Sequence, residues 1–273
     1  MKNISLVTVS TLACIVIPFQ SAGAHTTYGG NARNLGVNVP GAITGATNTN
    51  PYFKTITNQV VTSDHGWAHG TRPQFGDAHA IRAFRFTLAE AGRATINVTA
   101  DPSRGSSGGI PIIPAFSLYS GLLSTVTGFA DYDTAPITLA WLESLGGIQP
   151  RAGALNSLGD WKMGNDSSIA DGGGNFNFSE LSSLTYIGNA ADGTSANFGT
   201  AAGINGDGLA DGSVSRSFLL GPGDYTVIIG GADINGSNGL TFGINASLTV
   251  VPEPSAFLLS AASCLLLFKR RRA

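Results

Sequence analysis

Charged residues make up only 12% of the 273-residue chain, against 42% apolar residues and 37 glycines, a balance that suits strands and turns around one core rather than a disordered chain or an ordinary cytosolic enzyme. The two cysteines, Cys14 and Cys264, lie in apolar runs near the two ends, so the body between them has no disulfide, no cysteine nucleophile and no thiolate metal site. With Lys2, Lys269, Arg270, Arg271, Arg272 and Glu253 set aside, about 10 bases face 16 acids, and a mildly acidic body without a basic stripe leaves nucleic acid out as a partner.

At the N-terminus Lys2 precedes an apolar run from Ile4 to Phe19, and Ala22-Gly23-Ala24 follows. Charge, apolar run and small residues occur in the order a signal peptidase reads, which predicts a signal peptide over 1–24, with Ala22 and Ala24 at the cleavage site and a mature chain starting at His25. Thr11-Leu12-Ala13 before Cys14 is a poor lipid-attachment box, and the apolar run continues beyond it.

The body is expected as an extended arm or edge strand over 25–60 and a β-sandwich domain over 61–250. The arm is rich in Gly, Asn and Thr with isolated Leu35, Val37, Val39 and Ile43, and a strand is expected from Tyr52 to Val61. A loop with Gly66, Gly70, Pro73 and Gly76 comes next. Phe84, Phe86 and Leu88 alternate with Arg85 and Thr87, and Glu90-Ala91-Gly92-Arg93 then leads into Thr95–Thr99, which reads as a β-hairpin. Further strands are expected at Pro114–Ser120 and Ile137–Leu142. From Gly146 to Gly212, a long series of Gly, Asn, Asp and Ser predicts surface loops. Strands resume at Ser217–Leu220 and, after Gly221-Pro222-Gly223-Asp224, at Tyr225–Gly230. In the last one Leu240, Phe242, Ile244, Ala246, Leu248 and Val250 take every second position. The expected fold is all-β, an antiparallel, jelly-roll-like sandwich with long Gly/Asn/Asp-rich loops, flanked by an N-terminal signal helix and a short C-terminal transmembrane helix.

Candidate chemistry in the body is sparse. His65, His69 and His79 lie near Asp64, Trp67 and Asp77, but Gly66 and Gly70 speak against the helix that would align His65 with His69, so loop or packing histidines are the plainer reading. Asn205, Asp207 and Asp211 alternate with glycines as in calcium loops, and Asp166, Asp171, Asn175 and Asp192 sit in similar surroundings. A solvated turn explains the same pattern, so the expectation is no cofactor, with Ca2+ as the alternative. No G-x-S-x-G elbow stands between a strand and a helix, and Glu90, Glu143 and Glu180 lack a recognisable strand-end arrangement, so no catalytic residue is assigned and an enzyme is not expected. Trp67, Trp141 and Trp161 suit either a core or a sugar-stacking platform.

The C-terminus is more specific. Val251-Pro252-Glu253-Pro254-Ser255 leads into an apolar run from Ala256 to Phe268 and then Lys269-Arg270-Arg271-Arg272-Ala273. A helix of about 13 residues is roughly 20 Å long, short for a permanent anchor, and the positive-inside rule keeps Lys269, Arg270, Arg271 and Arg272 in the cytoplasm. Together these residues resemble the PEP-CTERM sorting signal of Gram-negative bacteria, with Pro252, Glu253 and Pro254 as its motif and 251–273 as the tail. The resemblance implies signal peptidase and an exosortase-type membrane protease as partners, transient insertion in the inner membrane, and delivery to the cell surface or extracellular matrix. The order of the body's strands is more loosely similar to jelly-roll domains found beside this tail and in bacterial pre-peptidase C-terminal domains. The expected role is a structural or adhesive protein associated with extracellular polysaccharide; a carbohydrate-binding or calcium-dependent binding module is the alternative.

Overall fold

Alternation along the strands decides how this chain packs. In β12 (Thr241–Pro252), Phe242, Ile244, Ala246, Leu248 and Val250 are buried, while Asn245, Ser247 and Thr249 between them are half-exposed. In β4 (Gly92–Gly105), Ala94, Ile96 and Val98 are buried and Thr95, Asn97 and Thr99 are not. Successive strand side chains point to opposite faces, so each strand has one dry face and one open face. The computed structural model describes residues 28–29, 31–36, 42–47, 50–62, 66–68, 76–78, 80–123, 131–133, 154–165, 181–198, 202–232 and 240–252.

The other strands are β1 (Tyr52–Thr62), β2 (Gly76–Asp77), β3 (Arg82–Leu88), β5 (Ile113–Ser120), β6 (Asp131–Asp133), β7 (Ala154–Leu155), β8 (Trp161–Asn165), β9 (Leu181–Ala191), β10 (Ser213–Leu220) and β11 (Gly223–Ala232). They form two antiparallel sheets, one in the order β1-β12-β4-β10 and one in the order β3-β11-β5-β9-β8-β6, with β2 and β7 as a separate pair. Among the eight long strands every connection crosses from one sheet to the other except β5 to β9, and that exception carries β6, β7 and β8. The facing sides share one core: Ile96, Phe218 and Leu248 of the first sheet lie in the same cluster as Phe84, Phe116 and Val227 of the second. Phe116 of β5 meets Phe218 of β10 edge-on at 6.3 Å, a contact that joins the sheets. Each such side chain contributes about 1.5–3 kcal/mol by burial.

Segments 31–36 and 42–47 close the free edge of β3. Leu35 and Ile43 are buried, Leu35 N donates to Arg85 O at 2.8 Å, and Ile43 N donates to Thr87 O at 2.7 Å. An edge satisfied in this way offers no ladder to another chain.

Two expectations need correction. The runs Phe84–Leu88 and Thr95–Thr99 are not a hairpin: Phe86 pairs with Tyr225 in one sheet and Thr95 with Ser217 and Thr249 in the other. Alternation specifies which face is dry, not which strand is the neighbour, and here both runs find partners more than a hundred residues later. The stretch Gly146–Gly212 is not loop throughout, since its described residues include β7, β8, β9 and a 3-10 turn at Ser195–Phe198. β9 pairs with β5 from Ala115↔Ala191 to Ser120↔Thr185. Its buried residues include Ala190 and Ala191, too small to stand out as a hydrophobic run. The expected strand at Ile137–Leu142 and the two terminal helices lie outside the described residues. Among the described residues no helix is long and apolar enough to cross a membrane.

Candidate functional site

The outer face of the second sheet is covered by its own loops. Trp67 is 0% exposed; its Nε1 donates to Ser117 Oγ at 2.7 Å, and Ser117 Oγ donates to Ser157 O at 2.6 Å. The indole meets Phe198 edge-on with ring centroids 5.3 Å apart. Gly230 of β11 is required beneath it, because an added Cβ would lie 2.9 Å from Trp67 N and 2.8 Å from Ile81 Cγ2. Trp161 is also 0% exposed and lies against Tyr119, whose hydroxyl donates to Asn156 O at 2.5 Å. Trp67 and Trp161 are therefore core residues, which corrects the sugar-stacking platform; Trp141 lies outside the described residues. So do Asp64, His65, His69 and His79, while Asp77 sits in β2.

Tyr28 completes this layer. Thr226 Oγ1 gives its proton to Gly121 O at 2.6 Å, so the 2.6 Å contact between Tyr28 and Thr226 has the tyrosine as donor. Tyr28 Oη in turn accepts from Leu123 N at 2.8 Å. Burial pushes its phenol above the ordinary value, opposed by its hydrogen bonds to Thr226 and Leu123. The result is a directed relay that fixes an N-terminal residue to β11 and to the end of β5.

The Gly-rich loop after the 3-10 turn brings Asp192, Asn205, Asp207 and Asp211 into one neighbourhood, but as caps for backbone donors. Asp192 is buried; its Oδ1 accepts from Asp211 N at 2.9 Å and its Oδ2 from Gly212 N at 2.8 Å. Asp207 Oδ1 accepts from Gly193 N at 2.8 Å and Leu209 N at 3.1 Å, and Asp211 Oδ1 accepts from Ser213 N at 3.1 Å. Asn205 N donates to Asn189 Oδ1 at 2.8 Å, while Asn189 Nδ2 donates to Gly203 O at 2.8 Å. Burial raises the Asp192 carboxyl above its usual range, and the charges of Asp207 and Asp211 act in the same direction, with the two backbone N–H groups opposing them. Each carboxylate is aimed at the peptide groups of its own loop. Among the described residues no group of three or more His, Cys, Asp or Glu side chains could hold a metal. Asp166, Asp171 and Asn175 lie outside the described residues.

Pro252, the first residue of the Pro-Glu-Pro segment, stands where the described sheet stops. Val251 pairs with Arg93 and Pro252 with Gly92, the last rung between β12 and β4. A Cβ on Gly92 would stand 2.9 Å from Val251 O, so the two backbones approach closely at this point. A shallow hollow beside it is lined by Ile43, Glu90, Ala91, Val250 and Pro252. Glu253, Pro254, Lys269, Arg270, Arg271, Arg272, Ala22 and Ala24 lie outside the described residues.

No family model matches the chain, and no curated protein matches it. Among solved structures it resembles CorA, described as a surface-associated copper-binding protein important in copper acquisition by Methylomicrobium album BG8, at 16% identity and a TM-score of 0.44, over 77% of this chain and 99% of that one. It also resembles MopE, a secreted protein of Methylococcus capsulatus in which an oxidised tryptophan facilitates copper binding, at 13% identity and a TM-score of 0.40, over 81% of this chain and 87% of that one. Both of those proteins are described as binding copper, against the expectation from this sequence of no cofactor, or of Ca2+ in its place. Likeness at these scores carries no activity across to the present chain.

Proposed function

We propose that this chain is an exported cell-surface or extracellular-matrix protein, sorted through its C-terminal tail by an exosortase-type protease, and that its β domain does structural or adhesive work without catalysis. The observation that carries the reading is the position of the tail. β12 ends at Pro252, the first residue of the Pro-Glu-Pro motif, and the short apolar run and basic cluster follow in sequence. Proline has no N–H to give to the ladder, so pairing ends there for a chemical reason. A residue before proline is also biased away from helix, and Val251 and Glu253 both precede one, a local preference for the extended backbone that proteases bind. The last described strand thus ends at the first residue of the motif.

The strand order, eight long strands filling two four-stranded sets by repeated crossing, supports a jelly-roll-like sandwich.

Mass spectrometry of the terminal peptides of the protein recovered from the host's surface and medium is the test. A start at His25 and loss of the tail near Pro252 are expected. Recovery of an intact Arg270–Ala273 terminus on the exported protein would refute sorting by cleavage.

A further inference from the structure

We infer that the outer face of the first sheet is a binding surface for an uncharged polysaccharide chain. The face is assembled by register. Thr95 of β4 lies between Thr249 of β12 and Ser217 of β10, and Asn97 lies between Ser247 and Ser215 in the next row. Phe53 of β1 pairs with Thr249 and is 65% exposed, so an aromatic ring stands at the end of the Thr95 row. Strands lie about 4.8 Å apart and alternate residues about 6.8 Å apart, which makes these rows a regular grid of hydroxyl and amide groups.

The chemistry of the grid selects its partner. Hydroxyls and amides both donate and accept, and they match a polymer that presents hydroxyl groups at regular intervals. The exposed ring of Phe53 offers an apolar surface to the C–H face of a sugar. Open sheet faces are commonly protected by long charged side chains, but the two central rows carry none, and Arg93 lies at their margin beside Leu219. Short neutral side chains leave the face flat and open to an extended chain. The mildly acidic body disfavours uronate and phosphate polymers at longer range, so neutral glycans remain.

This inference deepens the proposed matrix role, but the two fail separately: terminal peptides test sorting, and retention of the purified chain tests the face. The full-length chain is incubated with regenerated cellulose and with starch, both uncharged glucans, and with alginate as an anionic polymer, and depletion from solution is measured. Retention is expected on at least one glucan, weaker by about three- to tenfold in Phe53→Ala, and absent in Asn97→Lys combined with Thr249→Lys. Leu209→Ala, an exposed residue in the Gly-rich loop, keeps wild-type retention. Urea midpoints of all variants, read from the buried Trp67 and Trp161, establish that the fold is intact. The inference is overturned by no retention on either glucan, by retention on alginate alone, or by equal retention in all variants. A dimer that the double lysine variant dissociates would also overturn it, because a second copy would then occupy the face.

Discussion

The two sheets differ in what the rest of the chain does with their outer faces. In the second sheet, β5 is buried from Ile113 through Tyr119 and β11 from Tyr225 through Gly231, on both sides. In the first, β4 and β12 bury every second residue and leave the others at the surface. The loops around residues 28, 67 and 155–161 all pack on the second sheet and none of their buried residues joins the first. Among the described residues, one sheet therefore serves as the wall on which these loops are anchored, and the other keeps its outer rows at the surface.

The largest effect should come from breaking the covered side. Trp67→Ala removes a fully buried indole, its edge contact to Phe198 and its bond to Ser117, and should cost about 3–5 kcal/mol, measured as a lower urea midpoint. Tyr28→Phe is milder in volume but leaves Leu123 N–H buried without its acceptor, at about 1–3 kcal/mol. A cost near zero for Tyr28→Phe would mean that the relay to Thr226 does not hold the layer in place.

The difference between the sheets was partly legible in the sequence. Leu240 to Val250 alternate strictly, the mark of a half-open strand, whereas Tyr225-Thr226-Val227-Ile228-Ile229 is continuous, as for a strand covered on both faces. The neighbours were not legible. Phe84–Leu88 and Thr95–Thr99 read as a hairpin because local turn residues separate them, and only long-range pairing sends them to opposite sheets. β9 was hidden because Gly188, Asn189, Ala190 and Ala191 give little hydrophobic signal where close packing needs small residues. Of the candidate site residues, Asp207 and Asp211 were found by their spacing with glycine, but spacing does not separate a carboxylate that faces a cation from one that caps a peptide N–H.

Asp192 sharpens the comparison at the end of the covered sheet, where β9 leaves for the Gly-rich loop. Its carboxyl titrates above the ordinary value in the folded state, mainly through burial, so the folded protein holds the proton more tightly than the unfolded chain does. The stability this group contributes is then fullest below about pH 4 and is lost as pH rises through the raised value. Asp192→Asn removes the titration and gives up one of the two acceptors for Asp211 N and Gly212 N, a loss of about 1–3 kcal/mol at acid pH. The difference between wild type and variant should shrink from pH 4 to pH 7 in paired urea titrations. A difference that grows with pH would show that the backbone donors outweigh burial.

The smallest effect belongs to the open face, and its smallness is the point. Thr249 stands between Phe53 and Thr95, partly exposed, and its methyl and hydroxyl belong to no buried cluster. Thr249→Ala should move stability by no more than about 0.5 kcal/mol, the range of surface substitutions away from special features, with a slight loss from the lower β-propensity of alanine. Thr95→Ala also removes the 2.7 Å contact with Ser217 Oγ, an exposed bond between two hydroxyls that water can replace, so it should fall in the same range. If either variant instead unfolds as readily as Trp67→Ala, the first sheet's outer rows hold the fold together and are not spare surface. If both are neutral in urea but lose retention on the uncharged glucan, the rows are kept for contact with a partner.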